Sequence, residues 1–209
     1  GTYIVAVIDG GTNESFDYLL RLTKAQCGAN LREAGDGAEN IVPGQITGGH
    51  ISPADMDTFC FTASSNEVIY LTLLTTNGPG TFPWFYLYDP EGNLLANPSA
   101  NSFEANWAGR LEQDGTYIVA VIDGGINESF DYTLCMVKVP GPNFPDTGEG
   151  SYVLSPSDTR SAHLLPGDLD AFEIKAIAGD TLDIALRITS DSGGNLVLHI
   201  YGPDAELID

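Results

Sequence analysis

Asp55 and Asp57, with Asp36 upstream, are acids whose oxygens can gather round a hard cation, and the chain carries the set twice. Asp168 and Asp170 repeat the pair, with Asp146 or Glu149 upstream. In Asp57-Thr58-Phe59-Cys60-Phe61, a strand places Asp57 on the same side as Phe59 and Phe61, toward a core. A carboxylate there needs a partner. Calcium is one answer; a carboxylate accepting backbone N–H bonds at the rim of the fold is the other. The residues leave both open.

Catalysis finds less support. The histidines are His50, His163 and His199, the first two at one repeated position, and no nucleophile, base and orienting group are read as recurring together. Zinc-ligand spacing, a phosphate-cradling glycine loop and a basic groove are all lacking. The cysteines read differently. In their strands Cys60 and Cys135 alternate with Phe59, Phe61, Leu134 and Met136, so both point outward. Taken as facing one another they form a disulfide, and Cys27 is left over. In the other copies these positions hold Glu173 and Arg21, a matching ion pair. Asn13-Glu14-Ser15 and Asn127-Glu128-Ser129 are glycosylation-type triplets, or ordinary turn residues copied with the repeat.

The elements that position these residues come from an internal repeat. Gly1–Leu22 returns as Gly115–Met136 with changes only at Thr12/Ile126, Leu19/Thr133, Arg21/Cys135 and Leu22/Met136. Further on, His50, Pro53, Asp55, Asp57, Phe59, Tyr88 and Pro90 return as His163, Pro166, Asp168, Asp170, Phe172, Tyr201 and Pro203. Such a period is too long for a solenoid turn and is the size of a small domain. The expected division is residues 1–29 as the end of one unit, 30–142 as a complete unit, and 143–209 as the beginning of a third. Both chain ends then fall inside a unit: either the chain is an excerpt, or the two part-units complement one another.

With 24 Gly and 12 Pro and no sustained helical period, the chain reads as all-β. Strands are expected at 2–8, 15–22, 58–63, 68–74, 84–88, 93–96, 117–122, 130–137, 171–177, 182–188 and 196–201, making tandem antiparallel, jelly-roll-like β-sandwiches with partial units at both ends. Asp9-Gly10-Gly11 and Asp123-Gly124-Gly125 are expected to turn the last two strands of a unit into a hairpin. Ile4, Ala6 and Ile8, like Ile118, Ala120 and Ile122, make the outer face of their strand apolar, which implies a covered surface. Trp84, Tyr86 and Tyr88 form an outward aromatic stripe. The third copy has Val197, His199 and Tyr201 there, which a repeated sugar platform would not tolerate, so protein contact is the expectation.

A net charge of −21 repels nucleic acid and anionic membrane surfaces, and makes cations the natural partners. The same charge also keeps a repetitive β-protein soluble. No apolar run is long enough to cross a bilayer as a helix.

Asp-x-Asp-x-Phe, Tyr88-x-Pro90-x-Gly92, Gly-Thr-Tyr before an apolar strand and the closing Tyr132-x-Leu134 occur in this order. In them the unit resembles the bacterial pre-peptidase C-terminal domain, a β-sandwich module of secreted peptidases and long surface proteins. The resemblance implies an extracellular or cell-surface location and, as in some relatives, calcium held by linker and loop acids. The third copy departs from it with Ala205 at the position of Gly92, which puts that bend in doubt, and Asn143-Phe144-Pro145-Asp146 only hints at the family's acidic linker.

The expected function is a non-enzymatic extracellular structural protein, a subunit or segment of a surface fibre or filament. Its partners are copies of itself, head to tail, joined by strand complementation, with no nucleic acid and no membrane insertion. The alternative is a binding module of a secreted peptidase or adhesin that recognises a matrix protein or glycan.

Overall fold

The structure, a computed structural model, describes residues 1–7, 17–18, 20, 22, 24, 26–28, 35–77, 81–99, 103–125, 128–146, 148–190 and 196–208. Alternating apolar residues between Gly, Pro, Asn and Asp breaks produce eight strands in its middle part. They are β1 (Thr47–Ile51), β2 (Met56–Ala63), β3 (Val68–Thr75), β4 (Pro83–Tyr88), β5 (Leu94–Ala96), β6 (Glu104–Arg110), β7 (Gly115–Asp123) and β8 (Phe130–Val139). Two short strands follow, β9 (Val153–Leu154) and β10 (Glu173–Ile174). Among the described residues there is no helix.

The eight strands form two antiparallel four-stranded sheets, in the orders β1-β8-β3-β6 and β2-β7-β4-β5. Their facing sides close one core, with Phe59, Leu71, Leu73, Phe85, Val119 and Leu134 fully buried, and every member of that cluster lies between Ile41 and Met136. β7 and β8 occupy central places, β7 between β2 and β4 and β8 between β1 and β3. The hairpin expected of these two strands is therefore not formed. They belong to different sheets, and the loop after Asp123 crosses from one sheet to the other so that each strand turns its apolar side inward. β1 and β6, glycine-rich and polar, were not expected as strands.

The recurring motifs meet in space. Pro90 packs on Gly115, where an added Cβ would stand 2.8 Å from the proline ring, so the start of β7 requires glycine. Two residues on, Tyr117 stacks on Phe61 at 5.3 Å and donates its hydroxyl to the Gln113 carbonyl at 2.8 Å.

Outside this sandwich the expected strands are largely missing. Residues 2–7, 182–188 and 196–200 form none, and of 171–177 only β10 is extended and paired. Of 15–22, half lies outside the described residues, and 17, 18, 20 and 22 are in no strand. Local structure nonetheless repeats. The turn Ser52–Asp55, with Ala54 at φ 64°, recurs as Leu165–Asp168 with Gly167 at φ 80°. Ser64–Glu67 recurs as Ile177–Asp180, and Val42–Gln45 as Ser155–Asp158. Asp89–Gly92 recurs as Gly202–Ala205, where Ala205 takes φ 59° and keeps the bend that glycine makes at Gly92. The departure seen in the sequence leaves that turn intact. The parallel bridge Asn40↔Cys60 recurs as β9 beside β10, and Tyr88↔Leu94 as Tyr201↔Leu207.

Candidate functional site

The acids come together differently in the two copies. In the central unit Asp57 is buried in β2 and accepts a 2.6 Å hydrogen bond from the Tyr132 hydroxyl of β8. Gly49 of β1 makes room for this pair. An added Cβ there would lie 2.6 Å from the Tyr132 oxygen, 2.9 Å from Asp57 Oδ2 and 3.0 Å from Asp36 Oδ1, so Asp36 converges on the same spot. Asp55 instead closes the preceding turn, accepting from the Met56 N–H at 2.6 Å and the Ser52 N–H at 3.5 Å. A phenol and backbone amides thus serve the buried acids here.

In the C-terminal copy, oxygens of Glu149, Asp168 and Asp170, the counterparts of Asp36, Asp55 and Asp57, lie within 4.8 Å of one another. Burial, then the charges of Glu149 and Asp168, push the Asp170 carboxyl up to about 7. Burial followed by Asp146 raises Asp168, and burial followed by Glu149 raises Asp146. These groups repel one another, and three oxygen donors so close fit a hard divalent cation. Ala162 stands at the position of Gly49, so its methyl takes space that the Tyr132 hydroxyl needs in the central unit.

The disulfide joins Cys27 to Cys60, with Cα atoms 6.0 Å apart, and Cys135 is free and buried. The expected Cys60–Cys135 bond is not formed. Cys60 is on the outer side of β2 and Cys135 on the outer side of β8, in opposite sheets, so the two thiols point away from each other. Cys135 is covered instead by the C-terminal copy, its sulfur 3.8 Å from Asp168 Oδ1. Burial, then the Asp168 charge, push the thiol up to about 12, which keeps it protonated and unreactive.

One constellation escaped the sequence reading. Ser129 Oγ is 2.9 Å from His50 Nε2, and His50 Nδ1 is 2.6 Å from Asp131 Oδ1. A hydroxyl, an imidazole and a carboxylate thus stand in series on the β1–β8 edge, beside a groove of about 540 Å³. The signal was available: Ser15, Asp17 and His163 repeat all three residues. His50 and Asp131 face each other across the ladder, and the imidazole lies along β8 to reach Ser129, two residues before Asp131.

The outer side of sheet β2-β7-β4-β5 is apolar. Register aligns Trp84 with Ile122, Tyr86 with Ala120 and Tyr88 with Ile118. The aromatic rings follow one another at 6.3 Å, half-buried, whereas Ala120, between Tyr86 and Thr58, is fully buried rather than open to a partner. Ile4 and Ala6 are exposed, and Ile8, Asn13 and Asn127 lie outside the described residues.

The outer side of the other sheet is covered by the C-terminal copy. Thr133 donates to the Pro166 carbonyl at 3.1 Å, Gly167 sits over Leu74, and Arg110 holds the Gly202–Ala205 turn.

The fold is a two-sheet antiparallel β-sandwich. No protein-family model and no curated protein matches the chain. Among solved structures it is similar to the pre-peptidase C-terminal domain of a collagenase from Bacillus anthracis, at 19% identity over 50% of this chain and 99% of that one, with a TM-score of 0.40. It is similar also to the periplasmic inhibitor of g-type lysozyme, PliG. The protein from Aeromonas hydrophila shares 14% identity over 48% of this chain and 97% of its own, TM-score 0.37. The one from Salmonella Typhimurium shares 16% over 53% and 94%, TM-score 0.34. At such identities the likeness concerns the fold alone.

Proposed function

We propose that the chain is a non-enzymatic structural module of an extracellular or cell-surface protein, whose β-sandwich units join by exchanging strands between copies. One observation carries this reading. Residues 143–209 hold counterparts of β1 to β5, and residues 1–22 repeat β7 and the first part of β8, the central strands that pair with β2, β4, β1 and β3 in the central unit. A central strand supplies two hydrogen-bonded ladders and an apolar face at once, so its donation joins two copies through main chain and core together. The exposed Tyr3, Ile4 and Val5 and the exposed Leu182, Leu186 and Leu198 are the apolar surfaces such an exchange would bury. The disulfide fits the oxidising surroundings of that location.

Ala6 and Ala171 repeat Ala120 and Thr58, which face each other between β7 and β2. Introducing Ala6→Cys with Ala171→Cys in a Cys135→Ser chain should give a ladder of disulfide-linked multimers on non-reducing gels. Cross-links confined to single chains, or none at all, would remove strand exchange. A serine-directed organophosphorus probe should leave Ser129 unlabelled; labelling lost in His50→Ala would make the Ser129–His50–Asp131 relay an active centre and end the non-enzymatic reading.

Calcium belongs to the same proposal. Glu149, Asp168 and Asp170 would hold it by oxygen, and the ion would offset their mutual repulsion in the C-terminal copy. The binding-module alternative gains no specific observation.

A further inference from the structure

The C-terminal copy rests on the central unit through a defined pair of surfaces. His199 and Tyr201 repeat Tyr86 and Tyr88, and they lie against β3. The His199 ring is 6.4 Å from Tyr70, and burial, then Glu104 and Tyr201, raise the Tyr70 phenol. Beside them the Gly202–Ala205 turn is held by Arg110 of β6. Its Nη2 donates to the carbonyls of Asp204 and Ala205 at 3.2 Å each and to Glu206 Oε1 at 2.8 Å. The β4-side face of one unit thus meets the β3–β6 face of another, a contact between two different surfaces of the same repeat.

The central unit carries both surfaces. Its β3–β6 face is taken by the C-terminal copy, while its own β4 face bears Trp84, Tyr86 and Tyr88, a larger aromatic stripe than Val197, His199 and Tyr201, and ends at the exposed Leu94. The turn below it, Asp89–Gly92, has the shape of the turn that Arg110 holds. It is negatively charged too, for hydrogen bonds from Asn93 keep the Asp89 carboxyl below its usual range and Glu91 adds a second acid.

We propose that Trp84, Tyr86, Tyr88 and the Asp89–Gly92 turn form a docking surface for the β3–β6 face of another copy of this unit. The partner's Tyr70 ring sets against Tyr86, and the partner's Arg110 caps the turn. A heterologous contact of this kind is not self-complementary, so it adds units head to tail, into a ring where the rotation between them closes and into an open stack where it does not. The inference rests on the structural-repeat reading in taking another unit as partner, but it needs no strand exchange.

Residues 23–149 provide the test. They contain the whole core cluster, the Cys27–Cys60 disulfide and the Asn143 side chain that bonds the backbone of Lys138. They also lack residues 1–22 and nearly all of the C-terminal copy, so strand exchange cannot contribute and the β3–β6 face is uncovered. Sedimentation should show mass rising with concentration, with a midpoint on the order of 100 µM for a contact at the small end of specific interfaces. Arg110→Glu and Tyr86→Ser should each reduce it to monomer, with urea melts like the parent's. An equimolar mixture of the two variants should form dimers and stop there, since each retains one competent face. A fragment monomeric at every concentration, or a mixture that stays monomeric, would overturn the proposal. In the full chain, Glu206→Arg should undock the copy and increase self-association; no increase would overturn it equally. Failure here leaves the multimer ladder of the cysteine pair untouched, and loss of that ladder leaves this association in place.

Discussion

Phe59 and Phe172 are the same residue at the same place in two copies of one repeat, yet Phe59 is fully buried and Phe172 is 39% exposed. The turns on either side of them have the same hydrogen bonds in both copies. What differs is pairing. Phe59 lies in β2, laddered to β7 from Met56 to Ala63, whereas around Phe172 only Glu173 and Ile174 pair, in parallel with β9. A turn needs only its own four residues, while a strand needs a neighbour distant in sequence, and a sheet without its central strand forms neither ladder nor core.

That contrast can be broken most forcefully at the shared phenylalanine. Phe59→Ala should cost about 3–5 kcal/mol in urea unfolding, the usual loss for a buried aromatic, and Phe172→Ala less than about 1 kcal/mol. Equal costs would mean that the C-terminal copy has a closed core after all. The tyrosines give the next largest effect. Tyr132→Phe leaves the buried Asp57 without its phenol donor and should destabilise by about 2–3 kcal/mol, whereas Tyr18→Phe at an exposed position should change nothing measurable.

A third measure is pH. Asp170 has its folded-state carboxyl raised to about 7, so the stability it contributes is complete below an unfolded value of about 4. That contribution is lost as pH rises through 7. Protection of residues 165–175 from hydrogen exchange, taken relative to the base-catalysed intrinsic rate at each pH, should therefore fall between pH 4 and 8, and millimolar calcium should restore it at the upper end. An unchanged rate with calcium would exclude an ion at Glu149, Asp168 and Asp170.

The smallest effect is expected at a turn. Ala54 adopts φ 64° where the copy has Gly167, so Ala54→Gly should stabilise the central unit by about 0.5–1 kcal/mol. A loss instead would show that the methyl contributes packing outweighing its strained backbone.

Several features of the site were legible in the residues. Alternation placed Asp57 inward beside Phe59, and the structure supplies the partner that such a carboxylate requires. That the partner is Tyr132 could not be read, because it sits on another strand whose register only the folded sheet defines. The cysteines failed for the same reason. Alternation correctly turned Cys60 and Cys135 outward, but an outward direction names no sheet, and these two belong to opposite ones. Strands β1 and β6 were missed because Gly48, Gly49, Glu104 and Asn106 have low strand propensity and are held by ladders to β8 and β3. Ser129, His50 and Asp131 went unnoticed although each repeats, since they are drawn together by a pairing between the first and last strands.

The sequence by itself determined the repeat, the all-β class and the side of each strand that faces inward, because all of these depend on residues close along the chain. Only the tertiary structure decided which strands lie side by side, which cysteines meet, and which copy closes a core. Those outcomes depend on contacts between distant segments, which form only when both partners are present to offset the entropy of bringing them together.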